Sequence, residues 1–354
     1  MKIKTKKKII AIELVILFLI SILTVLLNLD KLKNLFQKNI IIVSEEEISK
    51  QKEDNISEKI TDLIQQLDEK MLLNYLKKII SFGPHPTQRK FLGKIFDLPI
   101  EKLRRYLVDE LKSMDLKVIT QSWAQKSTLK NLRVPKWFFG WFEGKNIEAT
   151  LYGTDITSDE IYIITAHYDS WPRSPGANDD GSGVATILSI AKIMSKYSFN
   201  HSVCFLLVDG EEQGLLGSYA YSKDCNKKNK NIVAVVNIED FGFAETEEGR
   251  RKIHSIENEG SCWITKDMSD NCKQYSDHIN LEVVPQRKTE GFFADYKNFW
   301  NFGYDSVCCY EYEWDYHRHS PDDTLETINV PYLKMGARLL LATFAEWAWD
   351  IKSD

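Results

Sequence analysis

Residues 161–170 read IYIITAHYDS. Ile161 to Ala166 form a short, almost continuous apolar run with no alternation, the pattern of a strand covered on both faces. The polarity changes abruptly at His167, which is followed by Asp169. The same grammar repeats further along the chain. Val203–Val208 is followed by Asp209-Gly210-Glu211-Glu212, and Ile232–Ile238 by Glu239-Asp240. Val307–Tyr310 is a fourth run of this type. Between the first two runs, Val184, Ile187, Leu188, Ala191 and Met194 recur at helical spacing within Ser182–Lys196. Alternating strand and helix predict a three-layer α/β/α sandwich with a mixed, mainly parallel central sheet.

Further out, the elements are less uniform. Ile147, Ala149 and Leu151 alternate with polar residues, as in a half-buried strand. Apolar residues at 60, 63, 64, 67, 71, 75, 76 and 79 predict one amphipathic helix ending before Gly83-Pro84. A second helix is expected from Leu103, Tyr106, Leu107, Leu111 and Met114. Pro331 suits the first turn of a last helix, whose Met335, Leu339, Leu340, Phe344 and Trp347 would pack on the sheet.

Composition bounds the rest. The chain has 354 residues, 43% hydrophobic and 27% charged, with a net charge of −5. That balance buries a core and lacks the basic footprint of a nucleic-acid binder, so no nucleic-acid partner is expected. Six cysteines in this length do not make a disulfide scaffold. The amino terminus stands apart. Lys2, Lys4, Lys6, Lys7 and Lys8 precede the apolar run 9–29, in which only Glu13 and Asn28 are strongly polar. Its 21 residues match the roughly 30 Å hydrocarbon core at about 1.5 Å per helical residue. The expected organisation is a basic cytoplasmic segment 1–8, a transmembrane signal anchor 9–29, a charged stalk or linker 30–58 and a globular domain 59–354. The basic flank puts that domain outside the cytoplasm, on a single-pass cell-membrane protein.

The polar residues after the strands carry the chemistry. Open α/β sheets bind ligands beyond the carboxyl ends of their strands, so these groups converge on one edge. Asp179 and Asp180, in PGANDDGSG, and His319, in HSPDDT, join them from loops. Clustered acids repel unless cations sit among them, and carboxylate with imidazole suits Zn²⁺ or a related divalent metal. Asp169 is placed to accept the second ring N–H of His167. Of the Glu211–Glu212 pair, one carboxylate can bind metal while the other acts as general base.

At these residues the chain resembles the di-zinc exopeptidases that include bacterial leucyl aminopeptidases, glutamate carboxypeptidase and the glutaminyl cyclases. The matching segments are AHYDS, PGANDDGSG, DGEEQGLLGS, NIEDFG and HSPDDT, with a looser match in FFADYKNFWNFG. The resemblance implies two zinc ions bridged by Asp179. One would also hold His167 and the carboxylate near position 239, the other Glu212 and His319, with Glu211 as base. It implies peptides with a free N-terminus as substrates and an aminopeptidase activity. The alternatives are a glutaminyl-peptide cyclotransferase, usually with one zinc, and a peptidase-like ectodomain without catalysis. Such proteins usually carry Asn-x-Asp-x-x-Gly where this chain has Asn237-Ile238-Glu239-Asp240-Phe241-Gly242. That spacing, and strand alternation, put Glu239 at the ligand position. A one-residue bulge would bring Asp240 there instead.

Three weaker expectations remain. Cys204, Cys308 and Cys309 read as core packing. Cys262 and Cys272 lie in a loop-like stretch where an external location permits a disulfide. Trp171, Trp300, Tyr312 and Trp314 are candidates for a substrate pocket.

Overall fold

The computed structural model describes residues 54–90, 98–127, 140–287 and 293–349, with a few positions between 21 and 33. The chain divides after Glu58 into two units. In the first, the described residues among 21–33 are helical and exposed. The expected segment 1–8, most of the span 9–29 and most of the linker 30–58 lie outside the described residues. Among the described residues no helix is long and apolar enough to cross a membrane.

The second unit is built on one mixed sheet. Its strands in chain order are β1 (Gln88–Arg89), β2 (Lys117–Lys126), β3 (Trp141–Leu151), β4 (Ile161–His167), β5 (Ser202–Val208), β6 (Ile232–Glu239), β7 (Lys252–Ile256), β8 (Glu282–Gln286) and β9 (Ser306–Glu311). The spatial order is β1-β3-β5-β4-β6-β9-β7-β8, with β2 paired to β3. The central four, β5-β4-β6-β9, are parallel. β3 is antiparallel to β5 and β2 to β3, while β7 runs antiparallel to β9. The parallel centre directs the carboxyl ends of β4, β5, β6 and β9 to one edge.

The helices are α1 (through residue 66), α2 (Glu69–Ile80), α3 (Pro99–Ser113), α4 (Gly181–Met194), α5 (Leu216–Lys227), α6 (Cys262–Gln274), α7 (Tyr296–Asn301) and α8 (Val330–Trp349). α2, α4, α8 and α6 pack on one another in one group, and α5 with α7 in another. The strand alternation shows the two faces. Tyr162 stacks on Trp347 of α8 with ring centroids 5.5 Å apart. Ile163, the next residue, joins Tyr221, Cys225 and Phe299 of α5 and α7. Both are buried, and a fully buried side chain of this size contributes roughly 1.5–3 kcal/mol.

Two expectations are corrected. The single helix over 60–79 is interrupted at 67–68, because Asp68 caps α2 by accepting a hydrogen bond from Met71 N–H at 2.8 Å. The stretch holding Cys262 and Cys272 is α6 and not a loop. Ten residues of helix rise about 15 Å, too far for a disulfide, and both thiols are free.

Candidate metal centre

His167 is the last residue of β4, and its ring is fully buried. Nε2 lies 3.0 Å from Asp179 Oδ1 and 3.6 Å from Glu239 Oε1. Asp179 comes from the turn before α4, where Asp180 caps the helix through Gly183 N–H. The other oxygen of Asp179 lies 3.0 Å from His319 Nε2, which is 3.2 Å from Glu212 Oε2. One carboxylate thus faces two imidazoles, one through each oxygen. Two groups could each hold a metal: His167, Glu211 and Glu239 in one, Asp179, Glu212 and His319 in the other.

The surroundings hold these groups in place. Asn178 donates to both oxygens of Glu311 at 3.0 Å and to Asp315 at 2.9 Å, and its Oδ1 accepts from Gly242 N–H at 2.7 Å. One amide therefore ties the Asp179 turn to the ends of β6 and β9. Asp323 accepts from Asn178 N–H at 2.7 Å and fixes the same turn from the other side. Trp171 stacks flat on His319, centroids 4.2 Å apart and planes 8° apart. Of the aromatic residues proposed for a pocket, Trp171 reaches the cluster. Trp314 adjoins it through Arg318, with the guanidinium 5.4 Å from its ring, while Trp300 packs into the core beside Tyr296.

Asp169 has a different task from the one its spacing suggested. His167 Nδ1–H donates to the main-chain carbonyl of Asp169 at 2.8 Å, and the carboxylate stands off at 3.6 Å. The carboxylate is already occupied. It accepts from the N–H groups of Gly210, Glu211 and Glu212 at 2.8, 3.2 and 3.3 Å, and from the Thr87 hydroxyl at 2.9 Å. It shapes the turn that presents both glutamates.

Glu239 ends β6 in register with Tyr310, without a bulge at that point. Asp240 leaves the strand with φ +43° and turns to Arg318, 2.8 Å away. Arg318 also lies 3.5 Å from Asp179 Oδ2. Reading the sequence by motifs passed over Arg318. The signal for it was electrostatic: so many buried carboxylates demand a fixed cation, and the residue beside His319 is an arginine.

The ionisation of the cluster reflects its charge. Burial, and then Glu239 and Glu212, push the Glu211 carboxyl well above the usual carboxylate range. Burial opposes protonation of His319, but Glu212 and Asp179 outweigh it and raise its pKa to about 10. Burial likewise opposes protonation of His167, and Glu239, Asp169 and Asp179 overcome it. The carboxylates call for positive charge, which protons supply to imidazole when no metal does. Glu212 Oε1 and Glu239 Oε2 are buried acceptors with no hydrogen-bond donor. Orphaned oxygens beside imidazole nitrogens are a donor set that fits zinc.

A family model described as Peptidase family M28 matches residues 146–344. A probable zinc metalloprotease of Leptosphaeria maculans is 27% identical over 215 residues, covering 56% of this chain and 47% of that protein. The chain therefore spans less than half that relative's length. An aminopeptidase from Aneurinibacillus sp. strain AM-1 superposes with a TM-score of 0.63 at 14% identity, covering 81% of this chain and 95% of that one. A glutaminyl cyclase of Fimbriiglobus ruber gives 0.64 at 17% identity, over 79% and 95%. At these identities the two structures share the fold. With its family model spanning more than half of the sequence and ending beyond every residue of the candidate metal cluster, the chain belongs to peptidase family M28.

Proposed function

We propose that the chain is a zinc-dependent aminopeptidase that removes N-terminal residues from peptides. The observation that carries this reading is Asp179, whose two oxygens each lie 3.0 Å from a different imidazole. A carboxylate shared in this way suits a pair of ions, with His167 and Glu239 on one side and Glu212 and His319 on the other. The zinc metalloprotease and aminopeptidase names among its relatives support it.

Zinc held by these residues would polarise the scissile carbonyl and acidify a water to a pKa of about 7. Glu211 is the proton acceptor. It takes the proton of the attacking water and passes it to the leaving amine. Asp169 keeps the Glu211–Glu212 turn aligned through three main-chain N–H groups. Trp171 holds the His319 ring at its angle.

The full-length chain is tested on leucinamide and a short peptide, with and without a chelator, alongside zinc stoichiometry. Chelator-sensitive shortening from the N-terminus is the expected result. The cyclase fold neighbour gives the competing outcome: ammonia released from a Gln-initiated peptide with no shortening would move the chain to the cyclotransferases. A purified protein with no zinc and no turnover would make it a non-catalytic ectodomain.

The location is part of the same reading. The lysines at 2–8 and the apolar run 9–29 support a single-pass anchor with the enzyme domain outside the cytoplasm. Protease added to intact cells should digest the domain, and a domain protected until lysis would refute this orientation.

A further inference from the structure

The segment Gly83-Pro84-His85-Pro86-Thr87 leads from α2 to β1. Its two prolines each fix φ near about −65°, so the segment is stiff before it packs. It is fastened to the turn after β4 at Ser170. His85 N–H donates to Ser170 Oγ at 3.0 Å, and Ser170 N–H donates to the His85 carbonyl at 3.4 Å. Thr87 is buried two residues further on. Its hydroxyl lies between two buried carboxyl groups, 2.9 Å from Asp169 Oδ2 and 2.7 Å from Asp209 Oδ1.

Those two acids belong to different strand ends. Asp169 stands two residues beyond the end of β4, and Asp209 directly follows β5 and opens the turn to Glu211 and Glu212. Asp209 is tied to β3: its N–H donates to Asn146 Oδ1 at 3.2 Å, and its Oδ2 accepts from Lys145 N–H at 3.2 Å. Asp169 spans the gap by accepting from the N–H groups of Gly210, Glu211 and Glu212. One hydroxyl, brought in by a segment from outside the central strands, therefore meets both turns. A hydroxyl has a single hydrogen and donates to one of these oxygens at a time. Without it, two buried carboxyl groups share one donor fewer, and an unmet buried acceptor is costly. For Asp169 the remaining main-chain donors are those of the turn itself, so the turn has to move to make up the loss.

We propose that Thr87 is a positioning residue for the Glu211 base, acting through the Asp169 carboxylate. The proposal rests on the aminopeptidase reading. A general base works over a heavy-atom distance of about 2.6–3.2 Å, and a misplacement of about 1 Å can cost about 10²-fold in rate. Glu212 is less exposed to such a shift, because Asp179 and His319 complete its group from other segments. Thr87 therefore bears on proton transfer more than on metal binding.

The test compares Thr87→Val, which keeps the size and loses the hydroxyl, with Thr87→Ser, which keeps the hydroxyl, in the zinc-loaded full-length protein. On leucinamide, Thr87→Val should lower kcat by about 10–100-fold with KM and zinc content within about twofold of wild type. Thr87→Ser should recover kcat to within about threefold. Deuterium exchange in the peptide 209–215 should quicken in Thr87→Val and return to the wild-type rate in Thr87→Ser. Unchanged kcat in Thr87→Val, a Thr87→Ser variant as slow as Thr87→Val, or zinc lost in step with turnover would each overturn the proposal. If Thr87→Val does not fold, Thr87→Cys, whose S–H is a weak donor, takes its place against Thr87→Ser with the same expectations. A wild-type protein that turns over no aminoacyl amide removes the peptidase reading. The exchange comparison then decides alone: a turn loosened in Thr87→Val and restored in Thr87→Ser upholds the role of Thr87 in placing Glu211, and equal exchange in all three proteins removes it.

Discussion

Glu211 and Glu212 are neighbours in sequence and part company in space, one beside His167 and Glu239, the other beside Asp179 and His319. The proposed base can therefore be removed without touching the second group. Glu211→Gln should leave zinc content near wild type and lower kcat by about 10²–10⁴-fold. Loss of zinc with unchanged turnover per bound ion would make Glu211 a ligand instead. The third-strand pair is separated by a similar contrast. Glu239 faces His167, whereas Asp240 faces Arg318. Zinc stoichiometry should fall in Glu239→Ala and hold in Asp240→Ala, and the reverse ranking in a metal titration would exchange their roles. At this scale the residues after the strands could be named from sequence because each follows a buried run. Arg318 and the orientation of Asp169 could not. Both depend on which donors and acceptors remain unsatisfied once distant segments meet, and spacing along the chain carries no record of that.

At the scale of elements, burial on both faces made β4, β5, β6 and β9 readable as unbroken apolar runs. β2 had no such signature: only Trp123 of its ten residues is buried, so neither period dominates. α6 was missed because its buried face includes Thr265 and Asn271, with Asn271 donating to Thr343 of α8 at 3.1 Å. The break between α1 and α2 escaped the helical period because one side chain, Asp68, decides it. Asp68→Ala should lower stability by about 1 kcal/mol, read from the denaturation midpoint, with little effect on zinc content. A larger effect is expected where α5 meets the turn after β5. A Cβ on Gly217 would lie 2.2 Å from the main-chain oxygen of Asp209 and 2.4 Å from Asn146 Oδ1. Gly217→Ala must push α5 from the turn that carries Glu211 and Glu212, at a cost of about 1–3 kcal/mol. A melting curve equal to wild type would show that the turn yields freely.

For the molecule as a whole, a half-buried acid outside the candidate metal cluster sets a pH dependence. Burial pushes Glu346 of α8 up to about 7, with Asp267 and Asp270 adding to the shift, and Tyr275 donates to it at 3.0 Å. Because its folded pKa exceeds the unfolded value, the folded state holds the extra proton. Its contribution is complete below about pH 4.5 and is lost as pH rises through about 7. Glu346→Gln should flatten the fall in stability between pH 5 and 8, measured by urea denaturation. Zinc acts on the same balance by linkage. Bound only by the folded chain, it should raise the melting temperature by several degrees over a chelated sample. The ligands' order along the chain also governs how the protein is made. A ribosome working at about 5–20 residues per second releases His319 roughly 8–30 s after His167. During that interval the growing chain gains Asp179, both glutamates and, about halfway, Glu239, before Arg318 or His319 is there to face them. Under the proposed reading, the group of Glu212 and His319 is therefore the later of the two to be complete. A chain cut short before residue 318 would hold every residue of the first group and lack His319 of the second.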